Sequence, residues 1–213
     1  MPMTEETRQK ERNRIATMVI DLVKERGAEI SYSTAQTESG LSRSRFEWVF
    51  EDYDDLFDAV AAVWLAPHMQ VMEDVLSSDL PPIRKMYEFF RQRFVISRQR
   101  WRDDPENFTM ICEMGAANFE RVRSYVDLAD HYLCEVIVQA QADGYFAGLE
   151  IDETLSLINQ MVSNYTIPDS LIYLGDKLNE EKLARIVDTI FIGLSREAGD
   201  EAKGLNTIRV AAS

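Results

Sequence analysis

The sequence predicts an all-α protein of about nine helices. Apolar residues recur at spacings of three and four residues almost throughout, and alternating strand-like runs are scarce. Glycine, proline and capping residues divide this pattern into lengths that are typical of helices. With 213 residues, the chain is long enough for one sizeable domain and a smaller second one.

The first predicted helix runs from about Thr7 to Arg26. Gly27 ends it, because glycine accepts the left-handed conformation that closes many helices. One apolar stripe lies along this helix, formed by Ile15, Met18, Val19, Leu22 and Val23. The first half of the helix is basic, with Arg8, Lys10, Arg12 and Arg14.

Two short helices are predicted next. Either Ser31 or Ser33 can cap the first of them, and Gly40 ends it. Ser42 can cap the second, which continues through Trp48.

A fourth helix begins at Asp52 or Asp54. Negative charge at a helix N-terminus is favoured by the helix dipole, by roughly 0.3 to 1 kcal/mol for an exposed residue. This preference is a purely structural explanation for Asp52, Asp54 and Asp55. The apolar residues of this helix include Leu56, Phe57, Val60, Val63 and Trp64.

Five further helices are predicted after Pro81 and Pro82. Proline, glycine and asparagine residues mark the breaks between them. The predicted ranges are about 83–101, 105–115, 117–143, 152–174 and 179–197.

The net charge of −14 argues against a protein that coats nucleic acid or an anionic membrane through overall attraction. A local basic patch remains compatible with this charge, because residues 7–45 carry eight Lys or Arg against five acids. No basic and apolar leader opens the sequence, and no run of about 18 apolar residues occurs in it. We therefore expect a cytoplasmic protein without a membrane-spanning segment.

Sequence signatures of hydrolytic, nucleotide-binding and metalloenzyme sites are missing. The two histidines, His68 and His131, lack partners at metal-ligand spacing. Cys112 and Cys134 lie in apolar stretches, where a free cysteine is usually a buried thiol. None of the 37 acidic residues stands out as a general acid or base. We predict no metal, no cofactor and no enzymatic activity.

The first sixty residues nevertheless carry a specific pattern. A basic first helix ending in Gly27 is followed by a short helix, by Gly40-Leu41-Ser42 and by a second short helix with Phe46. Phe50, an acidic pair and Leu56 come next. This arrangement resembles the DNA-binding domain of the tetracycline-repressor (TetR) family, and the later helices are similar to that family in number and rhythm.

The resemblance implies a helix-turn-helix DNA-binding domain over residues 1–52 and a helical ligand-binding and dimerisation domain over residues 53–213. The second short helix would lie in the major groove, where arginine forks fit guanine or phosphate. Backbone N–H groups at the start of the preceding helix would help to hold phosphates. The DNA-contacting residues implied by the resemblance are Ser31, Ser33, Thr34, Ser42, Arg43, Ser44, Arg45 and Trp48.

Several positions depart from the family pattern, including Ala35-Gln36 in place of the usual Ile-Ala of the second helix, and three of the departures alter common phosphate contacts. Glu47 stands where a tyrosine is expected, Val49 where a histidine or tyrosine is expected, and Tyr53 where a lysine is expected. Fewer phosphate contacts would lower both the affinity for nonspecific DNA and its salt dependence. Glu47 could accept a hydrogen bond from a cytosine amino group, or it could lie at the rim of the interface and weaken binding.

The later helices are rich in methionine and aromatic residues, which mostly form cores but also line apolar ligand pockets. By the resemblance, a small apolar or amphipathic effector would enter between helices 4 and 7. The pocket wall would include Trp64, His68, Met72, Phe90, Phe94, Met114, Tyr132 and Tyr165. Residues of about 152–197 would pair with a second copy in a four-helix bundle.

Three functional hypotheses follow. The first is a homodimeric regulator, more often a repressor in this family, that leaves a palindromic operator when an effector changes the spacing of its recognition helices. The second is a TetR-like dimer that has lost operator binding and acts as a ligand-binding or protein-interaction module, which the three departures favour. The third is an all-helical enzyme with a catalytic carboxylate, a hypothesis that no sequence motif supports.

Overall fold

The computed structural model describes residues 4–27 and 30–195, and almost all of them are helical. The all-α prediction is confirmed, although the described part of the chain contains ten α-helices and a short 3₁₀ helix over Gly175–Lys177. The α-helices are α1 (Glu5–Arg26), α2 (Tyr32–Glu38), α3 (Arg43–Val49), α4 (Tyr53–Ser77), α5 (Pro82–Asp103), α6 (Pro105–Ala117), α7 (Phe119–Ala142), α8 (Ile151–Thr166), α9 (Pro168–Leu174) and α10 (Glu180–Leu194).

Local capping sets the ends of α1 and the start of α4. Thr4 accepts a hydrogen bond from the N–H of Thr7, so α1 begins slightly before its predicted start. Gly27 ends α1 with a φ of +58°, a left-handed conformation that glycine adopts without strain. Asp52 caps α4 by accepting from the N–H of Asp55. Of the two starts that the sequence allowed for α4, the structure therefore has the one at Asp52.

The stretch predicted as one helix over 152–174 consists of two helices. α8 ends at Thr166, and α9 begins at Pro168. Proline has no N–H to donate within a helix, and it disfavours helical backbone in the residue before it. Ile167 accordingly has an extended backbone, with φ −88° and ψ 118°. The prediction of a single helix was wrong because it overlooked this proline.

Two clusters of buried apolar side chains hold the helices together. The first cluster joins α1, α2 and α3 to the start of α4 and includes the fully buried Phe46. The second cluster joins α4 to the helices from α5 to α10 and includes the fully buried Phe94. α4 contributes to both, with Leu56 in the first and Met72 in the second. The predicted boundary between residues 52 and 53 stays a prediction.

Pro67 lies inside α4, between the residues that this helix contributes to the two clusters. Val60 packs in the first cluster and Met72 in the second. Because proline has no N–H, the carbonyl of Val63 cannot accept the usual helical hydrogen bond from position 67. The helix nevertheless continues to Ser77.

The predicted last helix, over 179–197, is observed as α10. Asn179 caps it by accepting a hydrogen bond from the N–H of Lys182. α10 ends at Leu194, and residues 196 and 197 lie outside the described residues. No helix in the described part of the chain combines the length and apolar character that a membrane span requires.

Candidate DNA-binding face and ligand cavity

Helix α3 is anchored on one face and exposed on the other. Phe46 and Val49 are fully buried in the first cluster, so they fix α3 against the neighbouring helices. Ser42, Arg43 and Ser44 are exposed. Ser42 is the N-cap residue but makes no capping hydrogen bond with its side chain, and its hydroxyl lies 3.5 Å from that of Ser44. The start of α3 therefore presents two hydroxyls and a guanidinium to solvent.

Arg43 is paired with Glu47, one turn further along α3. The Nε of Arg43 donates to Oε1 of Glu47 over 2.7 Å, while 83% of the Arg43 side chain remains exposed. An exposed pair of this kind contributes little to stability, because water screens the two charges. A DNA phosphate can therefore compete with Glu47 for the guanidinium.

Arg45 is less exposed than Arg43 and lies against α1. Its Nη2 lies 3.8 Å from Oε1 of Glu11 on α1, and its Nε is buried without a hydrogen-bond partner among the described residues. Glu11 also accepts a 2.8 Å hydrogen bond from Nε of Arg14. Both arginines of α3 thus face a carboxylate, and the sequence of α2 and α3 carries two arginines and two glutamates.

Three hydroxyl groups cluster at the start of α2. Ser31 accepts a 3.2 Å hydrogen bond from the N–H of Thr34 and is the capping residue. Its Oγ also lies 3.0 Å from that of Ser33 and 2.9 Å from Oγ1 of Thr34. Ser31 and Ser33 are exposed and Thr34 is half-buried. The fold therefore brings these three predicted phosphate-contacting residues together.

The C-terminal end of α3 packs against the first cluster. Trp48 is half-buried and packs against the first cluster. The Val49 side chain is fully buried, and its carbonyl accepts hydrogen bonds from Nη1 of Arg12 over 2.9 Å and from Nε of Arg8 over 3.4 Å. Part of the basic first half of α1 is thus engaged in holding the end of α3.

An apolar cavity of about 340 Å³ lies where α1, α4, α6 and α7 meet the turn between α8 and α9. This volume is within the range of small-molecule sites. Ile20 and Val23 of α1 form part of its wall, so a molecule in the cavity would touch the helix that supports α3. Residues with polar side chains in its wall include Cys112, Tyr125, Thr166 and Asp169.

Residues 82–187 match the family described as tetracyclin repressor-like, C-terminal domain. The chain belongs to the TetR family. The match spans α5 to α9 and the first half of α10, whereas residues 1–81 lie outside it. The resemblance to the TetR family is thereby confirmed. No curated protein matches the chain.

The TetR-family fold brings some of the predicted pocket residues to the cavity. Trp64 and Met114 line its wall. Tyr132 lies outside the wall and donates a hydrogen bond to Glu73. The five others are buried in or beside the second cluster and do not line the wall: His68, Met72, Phe90, Phe94 and Tyr165. Effector binding by any of these residues stays a prediction.

The cavity wall also contains residues that the sequence analysis did not select for the pocket. They include Ile20, Val23, Ile111, Cys112, Tyr125 and Asp169. The sequence signal nearest to them is Gly115-Ala116 in α6, because small residues leave space beside a helix. A Cβ atom added at Gly115 would meet nothing within 4 Å.

His68 occupies an enclosed position between α4 and α5. Its Nε2 lies 3.1 Å from Oγ of Ser97, and its Nδ1 is buried with no hydrogen-bond partner in the described structure. Burial, together with the positive charges of Arg100 and Arg93, lowers the pKa of His68 from 6.5 to about 3. The imidazole is therefore neutral at physiological pH.

Cys112 lines the cavity as a protonated thiol. Burial, and after it the negative charge of Asp169, raises the pKa of Cys112 to about 12. The thiolate is the nucleophilic form of cysteine, so this thiol is unreactive near neutral pH. Within residues 4–27 and 30–195, no group of three or more His, Cys, Asp or Glu is arranged to hold a metal ion.

Proposed function

We propose that this TetR-family protein is a transcriptional repressor that binds a palindromic operator as a homodimer and responds to a small ligand. The observation that carries the proposal is the start of α3, where Ser42, Arg43 and Ser44 face solvent while Phe46 anchors the helix. A short helix that is fixed on one side and polar on the other fits the major groove. α2 and α3, joined through Gly40, would form the helix-turn-helix.

DNA would be contacted mainly through α3. Arg43 and Arg45 supply guanidinium forks that fit a guanine edge or a phosphate. The remaining contacts would come from hydroxyls at the starts of the two helices and from the edge of the indole ring: Ser31, Ser33, Thr34, Ser42, Ser44 and Trp48. These contacts to phosphate would fix the register of the protein on the duplex.

The charges around α3 favour weak nonspecific binding. Glu47 already holds Arg43, and Glu11 faces Arg45. Each arginine would therefore exchange a carboxylate for a phosphate, which reduces the net gain from counterion release. Operator recognition would accordingly depend on contacts to bases more than on attraction to the backbone.

A homodimer would place two copies of α3 in successive major grooves, about 34 Å apart. α8 and α10, within the region 152–197, offer apolar surface for such pairing. Met161 on α8 is 41% exposed and Ile192 on α10 is 63% exposed. Exposed large apolar residues on adjacent helices favour an interaction surface.

Effector binding in the cavity would act through α1. Ile20 and Val23 of this helix line the cavity, while Ile15 and Val19 pack in the same cluster as Phe46 of α3. A ligand that binds more tightly when the cavity is wide would shift α1, and α3 would move with it. The spacing of the two recognition helices in the dimer would then no longer match the operator.

DNA binding is tested by selecting fragments of the source genome on immobilised protein at low salt. Fluorescence anisotropy on an enriched fragment across a salt series would follow. A palindrome bound by the wild type and lost in the Arg43→Ala/Arg45→Ala double variant is the expected result. The Arg84→Ala/Arg102→Ala variant, which removes two exposed arginines of α5, is the matched control for charge. Failure to enrich any fragment with folded, ligand-free protein would contradict the proposal.

A second candidate function is a TetR-family dimer that has lost operator binding and acts as a ligand-binding or protein-interaction module. The Arg43–Glu47 ion pair and the buried Val49 favour it, because both positions would contribute phosphate contacts in a typical family member. Under this candidate function, the Arg43→Ala/Arg45→Ala variant behaves like the wild type in every assay, and a ligand still binds.

A further inference from the structure

The arginines of α5 fall into two groups. Arg93 and Arg100 have no carboxylate within salt-bridge distance in the described part of the chain, and they lie two turns apart on one side of the helix. The other four each have such a partner: Arg84, Arg91, Arg98 and Arg102. The lack of a counter-charge therefore distinguishes the face of α5 that carries Arg93 and Arg100.

Arg93 is surrounded by aromatic rings. Its Nη2 donates to the hydroxyl of Tyr125 over 3.1 Å, and its guanidinium carbon lies 5.1 Å from the ring centre of Phe89 and 5.8 Å from that of Tyr125. Its Nε is buried and has no hydrogen-bond partner among the described residues. Arg93 thus retains an unused donor as well as an uncompensated charge.

Arg100 lies over the indole ring of Trp64, with its guanidinium carbon 4.0 Å from the ring centre. Its Nη1 donates to the carbonyl of Trp64 over 2.9 Å. Burial lowers the pKa of Arg100. The nearby His68 is neutral, so it does not compensate this charge. Partly buried charges without a counter-charge are costly, so an anion bound near these two arginines would be stabilised.

Both arginines lie directly behind the wall of the cavity. Tyr125 covers Arg93 and Trp64 covers Arg100, and these two aromatic residues line the cavity. The Tyr125 hydroxyl accepts from Arg93, and no acceptor for its own proton is present in the described structure. A phenol that accepts from a guanidinium is polarised and becomes a stronger donor. A ligand oxygen in the cavity is the natural acceptor for that proton.

We infer that the cavity binds an amphipathic organic acid, whose apolar part fills the cavity and whose carboxylate accepts the Tyr125 proton. The carboxylate would also compensate the charges of Arg93 and Arg100. This inference rests on the proposed effector role of the cavity and adds the chemical class of the effector.

Asp169 is the competing charge on the cavity wall, and it would favour a cationic ligand. Its side chain is exposed, so water and salt screen its field. Arg93 and Arg100 are less exposed, and electrostatic interactions are stronger where water is excluded. At Cys112 the negative charge of Asp169 acts more strongly than the positive charge of Arg100, whereas Tyr125 is in direct contact with Arg93. The Tyr125 part of the cavity therefore favours an anion.

The test is calorimetric titration of the full chain, without DNA, with decanoate, decanol and decylamine. Each probe carries a different head group, and the apolar chain is the same length in all three. Decanoate should bind at least about tenfold more tightly than decanol, which is the effect of one hydrogen bond to a charged group. Tyr125→Phe should remove most of this preference and leave decanol binding unchanged. Tyr173→Phe is the matched control, because the Tyr173 side chain is 82% exposed and does not line the cavity.

A second pair of variants tests the arginines. Arg93→Gln should weaken decanoate binding and spare decanol binding, whereas Arg102→Gln, on an exposed part of the same helix, should change neither. Retained decanol binding shows that each variant is folded. Equal affinity for decanoate and decanol, or tighter binding of decylamine, would overturn the organic-acid inference and leave the effector role standing. Binding of none of the three probes would overturn the effector role as well.

Discussion

Arg12 of α1 and Asp55 of α4 form a bidentate ion pair, in which Nη2 donates to Oδ1 over 2.6 Å and Nη1 donates to Oδ2 over 2.8 Å. The same guanidinium donates to the carbonyl of Val49 and lies over the ring of Phe50. The carboxylate also accepts from the backbone N–H of Glu51. The hydrogen bond from Arg12 lowers the pKa of Asp55. One ion pair thus ties α1 to the end of α3 and the start of α4.

Replacing Asp55 with alanine should lower the free energy of unfolding by about 2 kcal/mol, because hydrogen bonds to charged groups contribute more than neutral ones. Urea denaturation followed by circular dichroism measures the loss. Asp54→Ala is the matched control, since Asp54 lies in the same helical turn, is 57% exposed and pairs with Arg121. The loss of unfolding free energy in Asp54→Ala should be clearly smaller than in Asp55→Ala, because water screens the exposed pair. Equal losses in the two variants would show that the bidentate pair has no special role.

Replacing Glu47 with glutamine should strengthen DNA binding, because it frees Arg43 from its carboxylate partner. One additional phosphate contact steepens the dependence of log K on log salt by about 0.9. Anisotropy titrations at several salt concentrations measure both quantities. Glu153→Gln, which changes an exposed acid of α8, controls for the change in net charge. A weaker complex on the selected operator would instead identify Glu47 as a base-contacting residue.

Replacing Ile192 with glutamate should shift the proposed homodimer toward monomer, because it places a charge on the 63% exposed apolar position of α10. Light scattering coupled to size-exclusion chromatography at several protein concentrations measures the molar mass. The control is Tyr173→Glu on α9, where the tyrosine is 82% exposed. A dimer that persists in Ile192→Glu and dissociates in Tyr173→Glu would move the interface to α9.

His68 should make folding stability depend on pH. The folded protein holds the pKa of His68 at about 3, against 6.5 for the free side chain. Between these values the unfolded chain binds more protons, so the stability contributed by neutral His68 is present above about pH 6.5 and declines as the pH falls toward about 3. The slope due to one proton approaches about 1.4 kcal/mol per pH unit.

The pH prediction is checked by urea denaturation of wild type and His68→Gln at several pH values between 5 and 7, roughly the upper part of this window. The difference in free energy of unfolding between the two proteins should grow in favour of the wild type as the pH rises. His131→Gln controls for the loss of an exposed histidine. A difference that stays constant with pH would show that His68 is not held neutral by folding.

Local chemistry explains why much of the fold is predictable from the sequence. Gly27, Ser31 and Asp52 each act through a neighbour in the chain, so their capping roles are readable from residue order. Pro168 was equally readable, but the apolar period continues across it and hid the break between α8 and α9.

The candidate sites are less predictable because their chemistry depends on distant parts of the chain. Arg43 and Glu47 are four residues apart, and this helical spacing makes their pairing a local property. Arg93 and Tyr125 are separated by 32 positions and meet only because α5 packs against α7. Periodicity gives the buried face of each helix, but it does not give the helix that covers that face. The sequence therefore led to Trp64 and Met114 but missed Tyr125.

Pro67 has a mechanical consequence. The missing hydrogen bond makes α4 easier to bend at the point where its contacts pass from one cluster to the other. Bending there would reorient α1, α2 and α3 together, and it would change the contacts that Met110 and Ile111 of α6 make with the first cluster. Most buried side chains of both clusters would keep their neighbours. A coupling energy of about 1 to 3 kcal/mol, typical of small effectors, is then sufficient to change which orientation predominates.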